Sequence, residues 1–395
     1  MNPRSRVAPH VAELPKSGIR KFFDIVAQSK DIVSLGVGEP DFDTPWHISR
    51  AVVTCLENGG THYTSNLGTP ALRQAIDRYL SRRFDAHFDW QKEILVTVGV
   101  SEAIDLAIRA ICSPGDEVLY HEPCFVSYAP TIRLAHAVPV CVETRVEDEF
   151  RLTVEAMEAK VTPKTKAILL NFPCNPTGAT LSRGDMEDIL RFAAKHDLIV
   201  LADEVYSELN YDSGEADSHP LLHSFTSFPE YHDRVILLNG FSKSWAMTGY
   251  RLGYACGPVD IIDAMMKIHQ YGIMSAPTLS QAAGVEAMDH GDKDVDRMRR
   301  EYRKRRDYLV PELNRMGLKT VMPKGAFYIF SDIRSTGLTD EAFALKLLKE
   351  FGVACVPGSA FGACGAGFVR MSYATSLEKI RLAVERIGRM LTSGD

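Results

Sequence analysis

The chain has 395 residues, 45% hydrophobic and 24% charged, with a formal net charge of −6. That length exceeds one simple core, and the composition is that of a soluble globular protein of two domains. The negative balance argues against nonspecific nucleic-acid binding, and no apolar run approaches the ~20 residues of a membrane span. The first residues, Met1 to Val7, lack the apolar stretch of a secretory signal, so a cytoplasmic protein is expected. Ile19, Phe22, Phe23 and Val26 recur at helical spacing and predict a short amphipathic helix. Gly36 and Gly38 follow in a tight loop with exposed backbone N–H groups. They lack the third glycine of a dinucleotide fingerprint. The polar turn at 62–68 leads into a helix capped at Thr69-Pro70, with Leu72, Ile76, Tyr79 and Leu80 on one face.

Residues 94–98 predict a buried strand, and Gly99-Val100-Ser101 turns from it into a helix. A helix N-terminus at the end of a strand offers free N–H groups and a favourable dipole to an anion. Strands are predicted again at 117–120, 138–142, 166–170, 198–202 and 234–238, separated by loops and helices. Ser182 and Asp185 form the signature of a capping box on one of those helices. Alternation of this kind implies a largely parallel sheet with helices on both faces, an α/β architecture. Ligands in such sheets bind at the carboxyl ends of strands. Gly99, Asn175, Asp203 and Lys243 all fall there.

After residue 275 the texture changes. A long charged helix spans 292–316, strands are predicted at 326–330 and 368–372, and Ser376 caps the last helix. The expected organisation is an arm at 1–45 joining the small domain, a large domain at 46–275, and a small α+β domain at 276–395. Eight cysteines occur without a Cys-x-x-Cys pair and read as free thiols. No His-Glu-x-x-His occurs, and no metal is expected.

Lys243 sits between small and hydroxyl residues just after an apolar strand. Burial there would lower its pKa from ~10.4 and leave a neutral amine able to attack a carbonyl. Together with Gly38-Glu39-Pro40-Asp41-Phe42, Asn175-Pro176-Thr177-Gly178, Asp203-Glu204-Val205-Tyr206, Ser242-Lys243, Gly249-Tyr250-Arg251 and Arg370, it gives a set of motifs in a familiar order. The whole chain resembles the pyridoxal-phosphate aminotransferases of class I and II, with the aspartate-aminotransferase fold (fold type I). Lys324-Gly325-Ala326-Phe327-Tyr328 and residues 356–362 look like the archaeal and thermophile branch of aromatic and aspartate aminotransferases.

The resemblance implies roles. Lys243 matches the Schiff-base lysine, which later carries a proton. Asp203 matches the carboxylate beside the pyridine nitrogen, and Asn175 and Tyr206 the pair that bonds the ring oxygen. Phe125 matches the aromatic stacked on the ring. Val100, Ser101, Ser242 and Arg251 match the phosphate cup, with Tyr63 crossing from a second subunit of a homodimer. Arg370 matches the clamp for the substrate α-carboxylate, with the Gly38 backbone nearby and Phe327 against the substrate.

Two positions depart from the family pattern: Gly240 stands where many relatives carry serine, and Tyr250 where tryptophan is usual. Residues 269–276 hold no arginine or lysine where aspartate-specific relatives supply a second arginine. An aromatic or neutral amino donor with 2-oxoglutarate as acceptor is therefore expected, with Phe22, Phe23, Ile273, Met274, Phe327 and Tyr328 as possible pocket residues. A β-lyase and an N-acyl-diaminopimelate aminotransferase are the alternatives with the same cofactor. A ligand-sensing regulator would need a DNA-binding module, and the enzyme pattern already begins near residue 17.

Overall fold

The computed structural model describes residues 6–14, 31–211 and 223–393. The helix expected around Phe22 and Phe23 lies outside the described residues. The first strand is β1 (Val33–Ser34). Seven strands then build one sheet: β2 (Ile94–Thr97), β3 (Glu117–Glu122), β4 (Val138–Glu143), β5 (Thr165–Asn171), β6 (Ile199–Asp203), β7 (Val235–Gly240) and β8 (Gly253–Cys256). Their spatial order is β2-β8-β7-β6-β5-β3-β4. β3 pairs parallel with β4 and β5, β5 with β6, and β6 with β7, as the alternation predicts. β8 runs antiparallel to both β7 and β2. It was not predicted, because Gly253-Tyr254-Ala255-Cys256 offers no apolar run of strand length.

Helices on both sides explain why these strands are apolar throughout. Side chains alternate between faces along a strand. Leu169 and Leu201 point into a core shared with Ala103, Ala107 and Ile108 of the helix Gly99–Ile111. Their neighbours Ile168, Leu170 and Val200 point the other way, onto Met186, Ile189 and Leu190 of the helix Arg183–Lys195. The predicted caps form: the Thr69 side chain accepts from Leu72 N, Ser182 and Asp185 complete a capping box, and Ser376 accepts from Lys379 N.

Four further strands follow: β9 (Tyr328–Asp332), β10 (Val353–Ala354), β11 (Val356–Pro357) and β12 (Phe368–Ser372). β11, β12 and β9 make an antiparallel sheet, and β10 pairs with β1. The helix Asp292–Arg315 covers them with Met298, Tyr302, Leu309 and Leu313. β9 starts two residues later than expected. Ala326 takes a left-handed φ of 56°, and its carbonyl accepts from the hydroxyls of Tyr211 and Tyr373. The chain therefore turns at Ala326 before it extends. The helix Thr278–His290 packs on Trp46–Glu57 and Pro70–Phe84 and shares their core through Ala283, Ala287 and Met288. All eight cysteines are free thiols, as expected. Among the described residues, no helix is long and apolar enough to cross a membrane.

Candidate active site

Parallel register brings the polar strand ends together. Asn171 at the end of β5 stands beside Asp203 at the end of β6, and Asp203 beside Leu238 of β7. Beyond them opens a cavity of about 230 Å³, lined by Gly38, Val100, Ser101, Phe125, Asn175, Asp203, Tyr206, Lys243 and Arg370. All nine were singled out from the sequence. Ile104, Asn171, Val205 and Tyr328 complete the wall.

Lys243 lies in the single helical turn Phe241–Ser244 that follows β7. Its Nζ donates to Gly38 O at 2.8 Å and faces the Tyr206 ring at 6.0 Å. Burial pushes its pKa down to about 8; Glu39 opposes that shift, and Arg370 and Arg251 reinforce it. At pH 7 about a tenth of such a lysine is already the neutral amine.

Asp203 is 4% exposed. Its Oδ2 accepts from Tyr128 OH at 2.6 Å and its Oδ1 from Val205 N at 3.3 Å. No lysine or arginine among the described residues pairs with it. Burial raises its pKa to about 6, against the hydrogen bonds from Tyr128 and Val205 and the charge of Lys243. A carboxylate in this state is short of a cation. Tyr128 was not identified from the sequence; it lies 75 positions from its partner, in a loop-to-helix segment with no motif of its own.

Arg370 is 3% exposed on β12. Nη1 donates to Asn175 Oδ1 at 2.9 Å and Nη2 to Gly36 O at 2.6 Å. Nε is buried without a partner. The guanidinium lies over the rings of Tyr328 and Phe361, at 4.6 and 4.8 Å. Two aromatic faces and two neutral acceptors position a full positive charge that no carboxylate among the described residues neutralises. A buried cation of that kind is costly unless a ligand supplies the anion. Asn175 Oδ1 is taken by Arg370, which leaves the Asn175 amide N–H groups as donors. Tyr206 OH shares a hydrogen bond of 2.8 Å with Tyr328 OH.

The other end of the cavity is the N-terminus of the helix Gly99–Ile111, with Glu102 its only acidic residue in the first turn. Arg251 lies beside it at a left-handed φ of 49°, and its Nη1 donates to Thr248 O at 3.0 Å. Gly99 has φ 74°, and a Cβ there would come within 2.9 Å of Arg251 Nη2. Glycine is thus required both by conformation and by the approach of the guanidinium. Gly240 has a comparable reason. A Cβ there would meet Val100 Cγ2 at 2.9 Å and Leu252 O at 3.0 Å, so a serine would displace the wall.

Four expected cofactor or substrate residues do not line the cavity: Arg251, which lies beside it, and Phe327, Ser242 and Tyr63; Ile273 and Met274, expected as pocket residues, are absent from its wall too. Phe327 is fully buried behind it, with ring centroids 5.6 Å from Tyr206 and 5.4 Å from Tyr302; its neighbour Tyr328 faces the cavity instead. Ser242 flanks the lysine without reaching the wall. Tyr63 is 83% exposed on the surface. Tyr250 hydrogen-bonds Ser49 through its hydroxyl at 3.0 Å and accepts from Ser280 Oγ on its carbonyl at 2.7 Å.

Together these groups fit one type of cofactor. A carboxylate without a cation, a lysine near neutrality, and an arginine at a helix N-terminus suit a ring cation, a carbonyl and a phosphate. Residues 30–387 match the family of class I and II aminotransferases.

The chain belongs to that family.

It is a pyridoxal-phosphate-dependent aminotransferase of the α/β type I fold. The aspartate aminotransferase of Pyrococcus abyssi is 47% identical over 95% of this chain and 95% of its own length. The aromatic-amino-acid aminotransferase 2 of Thermococcus litoralis is 43% identical, again over 95% of each. The crystal structure of an aromatic aminotransferase from Pyrococcus horikoshii superposes with a TM-score of 0.88 at 46% identity, covering 94% of this chain and 99% of that one.

Proposed function

We propose that this aminotransferase moves the amino group of an aromatic or neutral L-amino acid to a 2-oxo acid such as 2-oxoglutarate, with Lys243 as the reacting amine. The convergence of Lys243, Asp203 and Arg370 on one cavity carries the reading. When bound, pyridoxal phosphate supplies an electrophilic carbonyl carbon and a ring that takes up the electron pair left on the amino acid's Cα. Lys243 Nζ provides the nucleophile and then moves a proton from Cα. Asp203 holds a proton on a ring nitrogen, and Tyr128 OH fixes the carboxylate for that task. The Asn175 amide and Tyr206 OH donate to an oxygen on the ring. Phe125 covers one ring face and excludes water. The helix N-terminus at Val100 and Ser101 takes the phosphate together with Arg251. Arg370 binds the α-carboxylate through a bidentate fork.

The donor class follows from the wall. Arg370 is the only arginine among the lining residues, and its fork is spent on the α-carboxylate. The lining side chains left without an assigned role are Tyr328, Val205, Ile104 and the uncharged Asn171. Relatives bear both aspartate and aromatic names, and this lining favours the aromatic class. A panel of amino donors with 2-oxoglutarate tests the point. Phenylalanine or tyrosine should equal or exceed aspartate in kcat/KM. Aspartate preferred by about 100-fold, beyond most of the range an apolar pocket spans for one methylene, would overturn the donor assignment.

The same proposal includes a homodimer in the cytoplasm, with Tyr63 reaching the partner's phosphate site. Tyr63 is exposed, as are Tyr271 at 89%, Ile273 and Met274. Asn66 Nδ2 donates to Met274 O at 2.7 Å and Thr278 Oγ1 to His62 O at 2.6 Å, which ties the two segments into one apolar patch. Such a patch supports burial against another chain. Sedimentation should give twice the chain mass. The division into arm, large and small domains belongs here too. The packing of Thr278–His290 argues for moving its second boundary from residue 275 to near 291.

A further inference from the structure

Among the described residues, one group outside the cavity brings three metal-ligating side chains together. The donor atoms of Glu122, Cys141 and Cys364 lie within 4.8 Å of one another. They come from separate parts of the fold. Glu122 ends β3, and Cys141 lies in β4, the edge strand beside it. The register pairs Tyr120 with Cys141 and Glu122 with Glu143, so Glu122 and Cys141 point to the same face. Cys364 comes from the turn Ala363–Gly365, between β11 and β12. All three are half-buried.

The carboxylate is already oriented. Tyr120 OH donates to Glu122 Oε1 at 2.7 Å, and Ala363 N donates to Oε2 at 3.0 Å. Outer partners of this kind fix first ligands in metal sites.

We propose that Glu122, Cys141 and Cys364 bind a thiophilic divalent cation such as Zn²⁺, with the fourth tetrahedral position open to water. Thiolate and carboxylate donors suit that ion, and Zn–S bonds of ~2.3 Å place two sulfurs about 3.8 Å apart. On binding, two S–H bonds break heterolytically, two Zn–S bonds form, and both protons leave to the buffer. No electrons are exchanged.

The location gives the site a consequence for the enzyme. Two residues after Glu122, Cys124 N donates to Phe361 O at 3.1 Å. Phe125 lines the cavity, and the Phe361 ring lies under Arg370 at 4.8 Å. A bound ion fastens the 122–125 loop to the 358–365 segment and thus braces two walls of the active site. Turnover should fall as the ion is taken up.

Equilibrium dialysis of the holoenzyme against Zn²⁺, with metal content and Zn-edge X-ray absorption as readouts, tests the assignment. The expected result is one strongly held equivalent per chain with two sulfur ligands. Cys141→Ser and Cys364→Ser should each weaken binding by at least about 10-fold and leave one sulfur, while Cys55→Ser changes nothing. If either serine variant fails to fold, Glu122→Gln replaces it: weaker binding with both sulfurs retained. Uptake unchanged across all variants, a zinc spectrum without sulfur, or a Cys141–Cys364 disulfide with no zinc uptake would each overturn the proposal.

Discussion

The two ends of the cavity are built differently. Around Arg370 the walls are complete: the guanidinium is buried, capped by two rings and held by two neutral acceptors. Around Arg251 they are open: that arginine is exposed, and the described partner of its side chain is the Thr248 carbonyl, three residues away. The buried end is paid for by folding, since the chain itself holds a charge out of water. The open end leaves its ordering to whatever arrives, whether a phosphate or a second chain. On the proposed roles, recognition of the amino acid would be preorganised and retention of the cofactor shared.

The largest effect should come from the atom between the two ends. Lys243→Ala should lower transamination by roughly 10⁴-fold, the upper range for a positioned proton carrier, and should abolish the visible band of the lysine-linked cofactor. Retention of that band would break the assignment. Next, Arg370→Ala should cost about 3 kcal/mol in kcat/KM, or roughly 150-fold, because it removes a desolvated charge pair. It should act on KM for amino donors and leave the cofactor bound. Arg251→Ala should do the reverse and loosen the cofactor. Two arginines with the same phenotype would erase the contrast.

Tyr128→Phe is smaller. It deletes one hydrogen bond to a charged group, about 2 kcal/mol, and should raise the pKa of Asp203 further. The alkaline shift of the pH–rate profile distinguishes this from loss of packing.

The last effect concerns stability without cofactor rather than turnover. Burial raises Asp203 to about 6 and Glu204 to about 7. Both folded pKa values lie above the unfolded ones, so the unfolded chain loses these protons first. Stability should be fullest below pH ~4 for these two groups and decline until the pH passes about 7. Glu204→Gln should flatten the upper part of that slope, on the order of 3 kcal/mol in total. Added cofactor should suppress the Asp203 part, because a ring cation restores its missing partner. Thermal melts across pH, with and without cofactor, measure both.

Much of this was legible in the sequence because period and position carry the information. Strand and helix alternation placed Asn175, Asp203 and Lys243 at one sheet edge before any contact was known. What stayed hidden depends on long-range pairing. Tyr128 meets Asp203 across the sheet, and Glu122, Cys141 and Cys364 converge from spacings of 19 and 223 positions that no local motif encodes. Phe327 and Tyr328 show a different limit. β9 is buried on both faces over Tyr328 to Ser331, so no polar alternation says which ring faces the ligand. The turn at Ala326 then decides it.

One short loop links the two reactive cations. Gly36 O accepts from Arg370 and Gly38 O from Lys243, and only two peptide units separate these carbonyls. Leu35 O also accepts from Ser372 N at 2.6 Å, which pins the loop to β12. Arg370 and Lys243 are thus interlocked. A carboxylate that draws Arg370 away from Gly36 also pulls on the strap that restrains the amine. On the proposed roles, substrate capture and release of the nucleophile would become one mechanical event, carried by the backbone between Gly36 and Gly38.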